Sequence, residues 1–321
     1  MEEMPNRSVG KHRAQVARGY LCLLLYGRPD GRILYVAELD GMLELPSAAG
    51  NKRLDWQWER SRSMAKLALI GGTGVYDSSM LDNIRDEVIS TAYGSVSVSI
   101  GDFQGMEVVF MQRHGTGHTV PPHMINYRAN IWALKELGVS KVLATSAVGS
   151  LNESMKPGDL VLLHQFIDFT KNRPFTFFDG HDGHVVHTDF TEPYCGPMGK
   201  VIQGAAEELK LELHGKGCYV CVEGPRYETP AEIVAFRRLG GDVVGMTNVP
   251  EVVLAREAGL CYAVIAMVTN FAAGISPTPL THTEVVEVMQ ANARSMRSLV
   301  MAVLDRLHPE LGCQCCGPQG Q

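Results

Sequence analysis

The run Ala263–Thr269 restricts the fold of this chain more than any other segment. It carries no charge, includes the β-branched Val264, Ile265 and Val268, and is closed by Asn270, Gly274 and Pro277. A strand of this composition needs cover on both faces, which is the condition of a strand inside a parallel sheet flanked by helices. Ligands of such sheets bind at the carboxyl ends of strands, where Asn270 sits. Its amide offers one acceptor oxygen and two N–H donors without a charge, although an Asn at a strand end can also serve only the turn that follows.

The rest of the chain from Lys66 onward alternates in the same way. Leu67–Ile70 reads as a strand entering Gly71–Gly74, Val96–Ile100 and Glu107–Met111 as a hairpin, Ala129–Leu137 as a helix and Val142–Thr145 as a buried strand. Leu160–Leu163 and Tyr219–Val222 are further strands; Pro230–Leu239, Val249–Ala258 and the long amphipathic Thr281–Leu307 are helices. Strands interleaved with helices predict an α/β fold with one mixed or parallel sheet, largely buried and covered by helices. Before Met64, Tyr20–Tyr26 and Arg32–Ala37 flank the turn Gly27–Gly31 and predict a hairpin. The expected organisation is an extension at 1–63, a domain at 64–308 and a Cys/Gly/Gln tail at 309–321. The extension is either a docking element or the product of a start upstream of Met64.

The net charge of -6 over 321 residues, with Lys and Arg dispersed, argues against a nucleic-acid partner. No apolar segment reaches the roughly 20 residues of a membrane span, and the first residues lack a signal peptide's order, so a cytoplasmic protein acting on small molecules is expected. The eight Cys are expected as reduced thiols. Cys218 and Cys221, three apart on one strand, face opposite sides and do not make a redox pair. Cys313, Cys315 and Cys316 could take a soft metal, but no distant pair of ligands is evident in the sequence, and a frayed terminus is the expectation. His114, His118 and His123 match no zinc spacing, and no metal is expected there.

Three strand ends carry groups suited to an anion. Gly71–Gly74 places Thr73 in a Gly-rich turn, which is either an anion cradle or only a tight turn. A third fingerprint Gly is missing at Asp77 and no G-x-x-x-x-G-K-[ST] occurs, so a dinucleotide or Walker site is not supported. Arg113, with a planar fork, and His114, a possible second donor, follow the strand ending at Met111. Ser146 lies in the small-residue stretch Thr145–Ser150.

Over Lys66–Leu307 the chain resembles the purine nucleoside phosphorylase and methylthioadenosine phosphorylase family. The resemblance rests on Ile70–Gly74, Arg113–Gly115, Asn126–Asn130, Glu223–Arg226, Gly245–Thr247 and Val249–Ala255. It implies a phosphorylase/hydrolase-like α/β fold, usually a homotrimer, that cleaves a nucleoside with inorganic phosphate and needs no metal or organic cofactor. By the same match Thr73, Arg113, His114, Ser146, Ala147 and Thr247 would hold phosphate, with Asn270 and His114 catalytic. Met246, Tyr227, Ala272 and, from a neighbouring subunit, His187 would contact the nucleoside.

The leaving group can be argued from chemistry. An Asn oxygen can accept from N7–H of a purine while its N–H donates to O6, and the base leaves more easily for it. Family members specific for 6-aminopurines resemble this chain elsewhere but carry Asp in place of Asn270. Glu228 can accept from N1–H of a 6-oxopurine, or it can serve as a helix N-terminal carboxylate ahead of Pro230. His282 aligns with a His that serves a 5′-hydroxyl, or it is an exposed first-turn residue. The expectation is phosphorolysis of inosine and guanosine in purine salvage. The alternatives are a methylthioinosine or methylthioadenosine phosphorylase and a nucleoside-binding protein without turnover. The segment ending at Leu43–Pro46 faintly resembles the opening of Nudix hydrolases without their glutamate-rich metal helix, and no such activity is inferred.

Overall fold

The computed structural model describes residues 66–71, 80–115, 117–180, 185–275, 279–308 and 311–313, and the backbone of 11–16, 19–27 and 33–38. The chain divides into two compact units, Met1–Glu59 and Arg60–Gln321. In the first, β1 (Lys11–Val16), β2 (Gly19–Gly27) and β3 (Ile33–Glu38) form an antiparallel sheet, so the expected hairpin carries one strand more.

The second unit is built on a nine-stranded mixed sheet. Its strands are β4 (Lys66–Gly71), β5 (Asp82–Thr91), β6 (Gly94–Phe103), β7 (Met106–Gln112), β8 (Val139–Ser150), β9 (Leu160–Phe169), β10 (Leu213–Val222), β11 (Val243–Gly245) and β12 (Cys261–Phe271). They lie in the order β11-β10-β9-β12-β8-β4-β7-β6-β5. The short β11 pairs with β10 in parallel and also with the end of β8 in antiparallel, so β8, β12, β9, β10 and β11 close into a ring. The run Ala263–Thr269 lies inside β12, between β8 and β9, where both faces are covered as its composition demands.

Period-two alternation sorts side chains to two cores. Ala68, Ile70 and Val109 pack with Ile131 and Leu134 of α1 (Tyr127–Glu136) and with Val252 and Leu254 of α4 (Asn248–Glu257). Leu67, Leu69 and Val108 pack on the other face with Met198 and Ile202 of α2 (Gly196–Glu208) and Leu299 and Val303 of α5 (His282–Arg306). The helix α3 (Pro230–Arg238) packs Ile233 and Phe236 against Val220 and Val244. The elements α2, β5 and β11 were not predicted from the sequence. The strand expected to end at Thr145, β8, continues to Ser150.

Two local features aim residues at the open end of the ring. Opposite β8 the register of β12 slips, Val268 facing Val148 and Asn270 facing Gly149. The residue between them, Thr269, is an inserted bulge, and a bulge re-aims the side chain that follows it. Gly245 is required because a Cβ there would sit 2.2 Å from the Tyr219 hydroxyl, which accepts a hydrogen bond from the N–H of Thr247 at 3.2 Å.

Candidate active site

A cavity of about 460 Å³ opens where β8, β11 and β12 converge with the first turns of α5. Of the residues expected at the site, Arg113, His114, Ser146, Ala147, Tyr227, Glu228, Met246, Thr247, Asn270 and His282 line it. Thr73 lies outside the described residues. Ala272 does not line the cavity; it is buried among Leu151, Val220, Phe236 and Val244, and its N–H donates to Ser150 O at 2.9 Å. His187 is exposed on the segment 185–190 and is not part of this wall.

Asn270 is 5% exposed and its amide is oriented by two bonds. Its Oδ1 accepts from Thr269 Oγ1 at 2.9 Å and its Nδ2 donates to Phe271 O at 3.0 Å. One N–H and one lone pair remain, so the amide retains a donor and an acceptor. Gly149 lies opposite: a Cβ there would meet Asn270 Nδ2 and Val244 Cγ1, each at 3.3 Å.

Glu228 is buried and is not a helix cap. Thr229 is the N-cap of α3, accepting from Glu232 N, and the Glu232 side chain accepts from Thr229 N, so the capping box leaves the neighbouring carboxylate to the cavity. Burial raises the pKa of Glu228 above the ordinary carboxylate value. Thr247 is the N-cap of α4 but makes no side-chain capping bond.

Arg113 departs from the expectation of an open fork. Its Nε and Nη2 donate to the two carboxylate oxygens of Glu251, both at 2.7 Å, and Nη1 donates to Thr145 O at 2.9 Å. Both side chains are buried, and the Tyr262 hydroxyl donates to Glu251 at 2.6 Å. Burial opposes the guanidinium charge, and the Glu251 carboxylate more than offsets it, holding the Arg113 pKa above its usual value. Two of the five N–H groups remain beyond these bonds. Glu251 was missed as a site residue, although it stands inside the motif Val249–Ala255; its partner is 138 residues away in sequence. Arg173, for which the sequence held no signal, is also buried and donates to the backbone oxygens of Met246 and Val249, each at 2.7 Å.

His114 also differs from a free donor. Its Nδ1 lies 2.9 Å from Val120 O, and since a carbonyl only accepts, Nδ1 carries the hydrogen. Its ring stacks on His118 with centroids 4.1 Å apart, and His118 in turn lies 6.2 Å from His282. Burial lowers the His114 pKa to about 4, with Arg113 and His118 adding to the effect against the Val120 bond. The native state thus binds fewer protons than the unfolded chain between about pH 6.5 and 4. In the unliganded protein, stability present above that window is expected to fall by about 3 kcal/mol as pH drops through it. Urea unfolding at pH 7 and 4.5 checks this, and His114→Asn should flatten the difference.

His282 is the first residue of α5, exposed, and also part of the cavity wall. Beside it the helix presents Val285, Val286 and Met289. Away from the cavity, Cys313 meets the distant pair not evident in the sequence: the sulfurs of Cys195, Cys261 and Cys313 lie within 4.8 Å of one another. Cys315 and Cys316 lie outside the described residues. Among the described residues no helix is long and apolar enough to cross a membrane.

The pattern of the phosphorylase superfamily matches residues 66–305. A probable 6-oxopurine nucleoside phosphorylase of Moorella thermoacetica is 56% identical over 250 residues, 78% of this chain and 96% of the relative. A probable S-methyl-5′-thioinosine phosphorylase of Methanothermobacter thermautotrophicus is 47% identical over 78% of this chain and 87% of its own length. The structure of methylthioadenosine phosphorylase from Schistosoma mansoni in complex with adenine superposes with a TM-score of 0.72 at 34% identity, covering 75% of this chain and 91% of that one.

Proposed function

The chain belongs to the phosphorylase superfamily, and we propose that it cleaves 6-oxopurine nucleosides, inosine and guanosine, with inorganic phosphate to the free base and ribose 1-phosphate. The observation that carries the choice of base is the pairing of a neutral amide, Asn270, with a buried carboxylate, Glu228, in one cavity. Breaking the N-glycosidic bond places positive charge on the ribose and negative charge on the base. The base departs with a proton on N7, balanced by the hydroxyl proton that the phosphate dianion gives up on becoming the ester; Asn270 Oδ1 accepts from that N7–H and its remaining N–H donates to O6, so the charge on the departing purine is dispersed. Glu228 accepts from N1–H, which a 6-aminopurine lacks. Phosphate attacks C1′ and serves as counter-ion to the ribosyl cation. In this reading Thr73, Arg113, His114, Ser146, Ala147 and Thr247 receive it, and Met246 lies under the ribose.

A homotrimer in the cytoplasm, serving purine salvage, is the working form we envisage, with His187 of a neighbouring subunit reaching the 5′ end of the substrate. Phosphate is a co-substrate, and the reaction as written needs no other cofactor.

One observation favours a second substrate as well. The 5′ region beside His282 is walled by Val285, Val286 and Met289, which suit an alkylthio group better than water. Methylthioinosine is therefore the alternative, consistent with the relative named for that reaction. Inosine, methylthioinosine and methylthioadenosine should be assayed with and without phosphate. Release of hypoxanthine without phosphate, or preference for the 6-amino substrate, would overturn the proposal. His282→Ala is expected to lower kcat/KM for inosine about tenfold, by loss of one hydrogen bond of roughly 1.4 kcal/mol, and to leave methylthioinosine within about threefold.

A further inference from the structure

Two loops wall the cavity, and one buried side chain outside it is bonded to both. The parallel pairing of β10 with β11 ends at Cys221 opposite Gly245. Past that pair the chain runs on one side through Glu223 and Gly224 to Tyr227 and Glu228, and on the other to Met246 and Thr247; those last two pairs line the cavity. Arg173, in the segment that follows β9, is 5% exposed and lies outside the cavity wall. Its Nη2 donates to Val222 O at 3.2 Å and to Glu223 O at 2.7 Å, and its Nη1 to Met246 O and Val249 O, each at 2.7 Å. Nε donates to Glu223 Oε1 at 3.2 Å, and Glu223 Oε2 accepts from the N–H of Lys171 at 2.6 Å. The planar fork thus places one terminal nitrogen on each loop, where the strand ladder no longer joins them. Gly224 adds a direct contact between the loops: its φ is +65°, and a Cβ there would sit 2.5 Å from Met246 Sδ.

We propose that Arg173 is a positioning residue which, through the carbonyls of Val222, Glu223, Met246 and Val249, sets the span between the wall of Tyr227 and Glu228 and the wall of Met246 and Thr247. In the reading given above, on which this rests, the first wall meets the purine and the second the ribose and phosphate. A free base or a sugar phosphate needs one wall at a time, whereas a nucleoside needs both at a fixed separation. Misplacement of about 1 Å between them can cost on the order of a hundredfold in rate. A Lys in place of Arg173 carries a single ammonium and cannot hold two pairs of carbonyls in one plane.

Arg173→Lys in the full chain separates this role from a purely structural one. Turnover of inosine with phosphate is read per folded molecule, well below the variant's unfolding midpoint, and binding of hypoxanthine and of ribose 1-phosphate is read by calorimetry. The value of kcat/KM for inosine is expected to fall about thirtyfold, mostly in kcat, while each fragment binds within about fivefold of the wild type. A variant that is less stable yet turns over inosine within about threefold of the wild type per folded molecule would overturn the inference. So would a loss of affinity for either fragment as large as the loss for inosine. If Arg173→Lys does not fold, Glu223→Gln is measured in the same way, since it keeps the fork and removes its charged acceptor. About a fivefold loss on inosine with unchanged fragment binding is then expected, and wild-type turnover overturns the inference. An active wild type with an unaltered variant defeats this inference alone. A wild type without phosphate-dependent cleavage of inosine defeats the proposed function, and this inference with it.

Discussion

Asn270→Asp is expected to lower kcat/KM for inosine by about a hundred- to a thousandfold, a loss of roughly 3–4 kcal/mol in transition-state stabilisation. The amide stands where two demands meet. Its Nδ2 donates to Phe271 O at 3.0 Å and has a second hydrogen for O6. A carboxylate has neither hydrogen, so it would face two acceptor oxygens in a buried position and oppose the negative charge growing on the base. The same change supplies an acceptor for an exocyclic amino group, so activity on adenosine or methylthioadenosine should rise relative to inosine. Steady-state kinetics on the paired substrates reads both effects. Unchanged turnover of inosine would remove Asn270 from the mechanism.

The second large effect is on stability. Glu251→Ala is expected to destabilise the fold by about 3–5 kcal/mol, because it leaves the Arg113 guanidinium charged and unpaired in the interior. The Tyr262 hydroxyl, which donates to Glu251 at 2.6 Å, would lose its acceptor in the same substitution. The double variant Glu251→Ala with Arg113→Met should recover part of the loss, since removing both charges avoids the stranded one. Chemical denaturation of the singles and the double measures the coupling. A single variant as stable as the wild type would mean that the buried pair contributes nothing net.

Several elements were legible before any coordinates. The uninterrupted apolar run of β12 and the strand-helix rhythm pointed to a buried sheet, mixed or parallel, and Pro230 marked the start of α3; the antiparallel pairing of β12 with β9 was not foreseen. Strand-end chemistry pointed to Arg113, His114, Ser146 and Asn270, which line the cavity, whereas Ala147, Tyr227, Met246 and Thr247 were expected there from the family resemblance. The role of Glu228 was open between cap and ligand until the Thr229–Glu232 capping box was seen to leave it uncommitted. Ala272 was expected at the ligand from the family resemblance, and its small side chain lies in a packed cluster.

What the residues alone determined, then, was a sheet buried on both faces and the chemical types at its carboxyl ends, because periodicity and side-chain chemistry are local properties. Tertiary structure decided how those groups are committed. The Thr269 bulge turns Asn270 into the cavity, Glu251 closes on Arg113 across 138 residues, and Val120 O assigns the hydrogen of His114. Each of these depends on atoms brought together by the closed ring of strands. A hydrogen-bond donor is available to a ligand only after its neighbours in space, which the linear chain does not display, have taken their share.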